Sequence, residues 1–548
     1  MEKQDQKEAQ EEKDQKQLKQ KRENFRVDIR NQQTKKALNA RRFHNFQQNN
    51  QNQNQNLDKK QQEIQNLTQN LVQILQNPPS AEQKQQFTLQ LQEIQGQLVK
   101  FSGENLVHQL CQNKVHLLIV KLFESKYAAS ELNLFLTLIK ILNNCFEFSV
   151  KEQAQAVQDI VKTSFFKEIL NSFSNQLPQE LIASLLIFIS NIAGEENREI
   201  NDFILQQSIF AQLKELYHNN YLSKQLIRLS FLLFRNVTSN IQHFKYPSYN
   251  EIFILTEAIC SSDHIKTLDK ESLEDLLTFL RIVTYEMDTD TLEMFIDKYP
   301  LIITSVLAQI LTENNFSVKQ EQNQEQAFSQ FKLQQQEYFD LLAITGDILI
   351  NITSLDDDFV QSFGELIGIN ETLEFLFNQG QLSINLRAVQ IIENLFTSEY
   401  PDQIQQILDS KLNEHMRLFK MLENFLSSYD KELVSRTIRA LANLASSVGE
   451  VEFIKENINI FVHKIIPFLK DTLQTNDEIL YACLNCLNQV LQRAEQNEES
   501  QQFKAIILGQ IQIEQINKIF EQTFNKEVSE EAQLLLENLQ NDEGMEDM

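Results

Sequence analysis

The chain has no tryptophan and only 10 glycines, 7 prolines and 5 cysteines in 548 residues, and each shortage excludes something. So little Gly and Pro argues against a fold of many strands and tight turns, and leaves no glycine-rich loop to cradle a phosphate. Cys111, Cys145, Cys260, Cys483 and Cys486 are dispersed through apolar helical stretches. That pattern fits buried thiols in a reducing compartment better than a disulfide framework. Cys483-x-x-Cys486 has no second pair and no histidine beside it, so buried thiols are expected there and not zinc. The 8 histidines are scattered without ligand spacing. The longest nearly apolar run, Leu181 to Ala193, is too short to cross a bilayer, and the N-terminus lacks the apolar core of a signal peptide. The expectation is a soluble intracellular protein with no cofactor, no metal and no membrane insertion. No catalytic constellation emerges, so an enzyme is not expected.

What is present is helix-forming and acidic. Gln, Leu, Glu and Lys are abundant, the apolar share is 42%, and the net charge is −26. This balance disfavours direct nucleic-acid binding and favours basic partners. Residues 1–20 lack apolar periodicity, Lys21 to Arg42 turn strongly basic, and a Gln/Asn tract follows from Gln47 to Asn56. Apolar residues then recur at helical spacing almost to the acidic end, 541–548.

Within that body one unit repeats: an apolar helix, an Asn near its end, and a small polar break. Asn144, Asn191, Asn236, Asn351, Asn394 and Asn443 mark it, with Ile282 and Gln489 as weaker members. Successive intervals from Asn144 to Gln489 are 47, 45, 46, 69, 43, 49 and 46 residues. A period near 46 fits HEAT and armadillo repeats, which bury their apolar faces only by stacking. The predicted fold is all-α: an armadillo-repeat superhelical solenoid of about ten repeats over residues 61–540, behind a flexible basic segment at 1–46 and a linker at 47–60. The long interval holds a Gln-rich stretch near 315–337, read as a loop insertion. An Asn near a helix end also has a plain reading, as a residue that simply favours such positions.

Two segments together resemble the importin-α family. Residues 19–43, KQKRENFRVDIRNQQTKKALNARRF, are similar to that family's importin-β-binding segment. Val27-Asp28-Ile29-Arg30 stands for its core, although one intervening residue is missing, and Arg41 and Arg42 stand for its terminal basic cluster. The repeat ladder, as in Ser190-Asn191-Ile192-Ala193-Gly194, resembles its Trp-x-x-x-Asn units. The resemblance implies an adaptor that shuttles between cytoplasm and nucleus, carries cargo proteins by their localisation-signal peptides, and meets importin-β and an export receptor. Lys21, Arg22, Arg26, Arg30, Lys35, Lys36, Arg41 and Arg42 would dock on importin-β as a basic amphipathic helix. Without the resemblance, the same residues read as a solvated basic tail or a nonspecific nucleic-acid arm. Asn144, Asn191, Asn236, Asn351, Asn394 and Asn443, with Glu195 and Asp159, would bind the cargo peptide. An armadillo scaffold unconnected with nuclear transport is the alternative.

The family's tryptophan positions hold Lys140, Ile187, Leu232, Thr278, Gln390 and Arg439. Each lost indole removes roughly 0.5–2 kcal/mol of cation–π interaction with a lysine. Ile187 and Leu232 can still pack an aliphatic stem. In the second half, acidic positions of the family hold Arg387 and Arg436, and an arginine position holds Asp347. These arginines are expected to stand unpaired and repel a cationic peptide, so this half is expected not to bind an ordinary basic signal and to suit an acidic or nonstandard peptide.

Overall fold

Amphipathic helices with so few turn residues have one economical solution, which is to stack side by side. The computed structural model describes residues 57–101, 103–128, 131–146, 151–194, 197–238, 247–260, 268–286, 324–354, 369–397, 418–447, 451–470, 475–497 and 499–540. All its regular elements among these are helices. They fall into two compact units, divided between Val318 and Lys319.

The first unit opens with α1 (Leu57–Gln76) and α2 (Lys84–Lys100). Three-helix repeats follow: α3 (Glu104–Gln112), α4 (Val115–Glu124) and α5 (Leu132–Cys145), then α6 (Lys151–Val161), α7 (Ser164–Leu170) and α8 (Gln179–Ala193). The next is α9 (Arg198–Leu205), α10 (Ile209–His218) and α11 (Lys224–Thr238), and the unit ends with α12 (Pro247–Cys260) and α13 (Lys270–Glu286). In every repeat the last helix packs on its counterpart before and after, so that α2, α5, α8, α11 and α13 form one row. This is armadillo-type stacking.

The second unit repeats the pattern. Its row consists of α14 (Gln324–Thr353), α16 (Leu382–Leu395), α18 (Lys431–Ser447), α21 (Asp477–Gln496) and α24 (Lys526–Gln540). Shorter helices lie between them: α15 (Ile369–Asn378), α17 (Leu418–Leu426), α19 (Val451–Glu456), α20 (Ile466–Lys470), α22 (Ser500–Leu508) and α23 (Ile513–Gln522).

Phenylalanine supplies the aromatic packing between helices in the core. Phe188 on α8 meets Phe146 before it at 5.8 Å and Phe166 at 6.1 Å, while Phe234 on α11 meets Phe210 at 6.0 Å and Phe279 on α13 at 5.8 Å. Each such edge-on or tilted contact joins neighbouring helices and excludes water. Polar caps set the helix starts: Asn197 accepts from the Glu199 and Ile200 amides ahead of α9, and Asn476 accepts from Ile479 ahead of α21. Gly380, at φ +66°, makes the left-handed turn from α15 to α16.

Two sequence expectations are corrected. The Gln-rich stretch is not all loop, since from Gln324 onward it is the first part of α14, a helix of 30 residues. Glutamine is a good helix former, and no Gly or Pro interrupts it. The predicted linker also ends early, because α1 begins at Leu57. The basic segment 1–46 and the tail 541–548 lie outside the described residues.

The rows are tied by side-chain amides. Asn394 on α16 donates to the Ile350 carbonyl and to Thr353 Oγ1 on α14, both at 3.1 Å. We expect Asn394→Ala to cost about 1–3 kcal/mol, because two buried hydrogen bonds from α16 to α14 are lost together. Asn191→Ala, at a half-buried side chain, should cost less than about 0.5 kcal/mol. Urea unfolding of the two variants checks this, and equal costs would contradict it.

Candidate functional site

The candidate site is the face of the two rows of third helices. In the first unit Asn144, Asn191 and Asn236 lie on α5, α8 and α11; in the second Asn351, Asn394 and Asn443 lie on α14, α16 and α18. The structure thus places each set of three on consecutive helices of one row. It does not leave them equally accessible. Asn191, Asn236 and Asn443 are half-buried, whereas Asn144, Asn351 and Asn394 are 7%, 2% and 3% exposed. Against the expectation that all six bind the cargo peptide, Asn144, Asn351 and Asn394 have little surface to offer one.

Most of these amides already have a partner in the protein. Asn236 donates to the Ser190 carbonyl on α8 at 2.9 Å, and Asn443 to the Glu393 carbonyl on α16 at 2.9 Å. Asn144 donates within its own helix to Lys140 at 3.2 Å. Its neighbour Asn143 makes the bridge instead, to the Ser184 carbonyl at 3.0 Å. At the far end Asn488, not Gln489, reaches α24, through the Glu531 carbonyl at 3.0 Å and carboxylate at 2.8 Å. Asn143 and Asn488 are residues that sequence reasoning missed. Each sits beside the residue chosen, and a shift of one position turns a helical side chain by about 100°.

Charges on the same face also pair from repeat to repeat. Lys140 bonds Glu180 at 2.6 Å, Arg228 pairs with Glu271 at 3.8 Å, and Arg235 contacts Asp275. In the second unit Arg387 holds Asp347 at 2.7 Å. Arg436 reaches Glu432 at 3.2 Å and Glu393 at 3.5 Å, and Arg439 comes within 3.7 Å of Glu393. The expectation of unpaired arginines in that half is therefore overturned, since Arg387, Arg436 and Arg439 all face carboxylates. Glu393, the group missed in the sequence, is fully buried. Burial pushes its carboxyl above the usual range, while Arg439 and Arg436 pull it down.

Asp159 is also corrected. It lies on α6, which packs on α3 and α4, and its carboxylate faces the buried His116 at 3.7 Å. Burial lowers the His116 pKa despite that neighbour. Asp159 is thus not on the row that carries the asparagines. Glu195, the other acidic residue assigned to the peptide, lies outside the described residues, as do Lys21, Arg22, Arg26, Arg30, Lys35, Lys36, Arg41 and Arg42. The positions without tryptophan differ in kind: Ile187 and Leu232 are half-buried, while Thr278 and Gln390 are 3% and 5% exposed. All five cysteines are free and buried. Among the described residues no group of three or more His, Cys, Asp or Glu could hold a metal ion, and no helix is long and apolar enough to cross a membrane.

Neither a family model nor a curated protein matches the chain. Among solved structures, an engineered protein aligns over 86% of this chain and 98% of its own, with a TM-score of 0.63 and 17% identity. A designed armadillo repeat protein aligns over 52% of this chain and 98% of its own, with a TM-score of 0.37 and 15% identity. Another, in complex with the peptide (KR)4, aligns over 52% and 99%, with a TM-score of 0.37 and 14% identity. The first likeness shows a shared fold.

Gly346 shapes one of the pairs. A Cβ there would stand 2.7 Å from Arg387 Cδ and 3.0 Å from its Cβ, so the arginine lies across the bare backbone of α14 on its way to Asp347. Gly→Ala in a helix ordinarily stabilises by about 1 kcal/mol. We expect that gain to vanish or reverse for Gly346→Ala, because the overlap offsets it, and to return in an Arg387→Ala background. Denaturation of the four-protein cycle measures this; a full gain in both backgrounds would contradict it.

Proposed function

We propose that this chain is an adaptor of nuclear import: its armadillo body holds an extended peptide of a cargo protein along the third helices, and its basic N-terminal segment docks on importin-β. The observation that carries the reading is the joint presence of a stacked armadillo row and a preceding segment, 19–43, with Val27, Asp28, Ile29 and Arg30 at its centre and Arg41-Arg42 at its end. A cationic helix with Phe25, Ile29 and Leu38 as apolar anchors suits an acidic partner surface. The acidic body, in a chain of net charge −26, would keep such a segment from binding nucleic acid indiscriminately. Shuttling between cytoplasm and nucleus, and return by an export receptor, belong to the same proposal. The stacked helices support binding.

One observation favours a second reading, an armadillo scaffold outside transport. Asn351 and Asn394 are buried, so that the second unit presents few of the amides a cargo peptide would need. The two readings separate on the basic segment. Immobilised importin-β should retain the full chain and lose at least about 90% of it when residues 1–46 are deleted, corresponding to a loss above roughly 1.4 kcal/mol. Binding should also weaken as salt rises from about 0.1 to 0.5 M, because the contact is charge-driven. Undiminished retention of the deleted protein would remove the import reading and leave the scaffold.

A further inference from the structure

We infer that the third-helix face of the first unit selects an extended peptide in which acidic and basic residues flank aliphatic ones, and not a run of basic residues. The inference rests on the reading that this face holds a peptide, and it specifies the chemistry of that peptide.

The face carries both signs in alternation. Lys140 on α5 pairs with Glu180 on α8, and Arg228 on α11 pairs with Glu271 on α13. These four groups are accessible, with Lys140 and Glu180 34% and 64% exposed and Arg228 and Glu271 43% and 59% exposed. Ion pairs so exposed are weak and readily exchange partners. Deeper in the same row, Asp275 is only 9% exposed and is already bonded by Arg235. The two inner helices of these pairs, α8 and α11, also present the half-buried Ile187 and Leu232.

A wholly basic peptide gains little on such a surface. Each ammonium group that captures Glu180 or Glu271 displaces Lys140 or Arg228, which stays tethered nearby as a like charge. No indole compensates, since the chain has no tryptophan. A wholly acidic peptide meets the mirror of this difficulty. A peptide carrying both signs answers both halves of each exposed pair, and its aliphatic residues cover Ile187 and Leu232. The complementarity is in the alternation and not in net charge.

Three fluorescein-labelled octapeptides of equal aliphatic content test this by anisotropy on the full chain: (Gly-Glu-Leu-Lys) repeated twice, (Gly-Lys-Leu-Lys) repeated twice and (Gly-Glu-Leu-Glu) repeated twice. The mixed peptide should bind about tenfold tighter than either other one. Glu180→Lys and Glu271→Lys together, both at exposed side chains that leave the core intact, should erase that preference and favour the acidic peptide. Equal or tighter binding of the lysine peptide overturns the inference while leaving the peptide-holding reading in place. A preference for the mixed peptide that is unchanged in the double variant also overturns it, because binding would then lie elsewhere. No binding of any of the three removes the peptide-holding reading and the inference together.

Discussion

Stacked helical repeats face one constraint above others: each joint must bury apolar surface without stranding the polar groups at its edge. Here the edge is the row of third helices, and the solution is to satisfy each repeat's polar groups with those of the next. Asn236, Asn394 and Asn443 place their amides on carbonyls of the preceding third helix, and Asn143 and Asn488 on the following one. Each bridging hydrogen bond contributes about 0.5–1.5 kcal/mol net, and the five joints that carry one add up along the stack. The ion pairs Lys140–Glu180 and Arg387–Asp347 follow the same rule at the accessible rim.

That arrangement shapes what the face can do. A peptide placed along the row would meet mostly groups with internal partners, some buried and some exchangeable. Buried members such as Asn394 and Glu393 hold the repeats together. Exposed members such as Glu180 and Glu271 are the ones the proposed peptide would take over. Under the proposed peptide-holding function the division between holding and binding follows burial along the row, and the stack itself is kept without tryptophan.

Much of the fold was legible in the sequence. The period near 46 residues, the apolar runs and the scarcity of Gly and Pro identify stacked helices, because a repeat is the same physical problem solved again. The Gln-rich stretch was misread because its polarity suggested solvent, although glutamine's helix propensity extends α14 back to Gln324. Less of the site was legible. Asn143 and Asn144 are adjacent and identical in type, and only the direction of the side chain separates a bridge to α8 from a bond within α5. The partner of each bridging amide is a backbone carbonyl, which leaves no mark on the sequence. The ion pairs did leave one: Lys140–Glu180, Arg235–Asp275 and Arg387–Asp347 are each separated by 40 residues and Arg436–Glu393 by 43, close to one repeat. Opposite charges offset by about one period were the available signal, and reading Arg387 and Arg436 position by position against the importin-α pattern concealed it.

The joint between α16 and α18 concentrates the account, for there a fully buried carboxylate faces two arginines of the next repeat. Taking charges out of water is costly, and such a group persists only if its partners recover the loss. The most direct measurement is a double-mutant cycle on Glu393 and Arg436, read by urea unfolding at neutral pH. If polar groups of successive third helices are mutually satisfied, the coupling energy is about 1–3 kcal/mol and favourable. A coupling within about 0.3 kcal/mol of zero would contradict that claim, because the two side chains would then act independently.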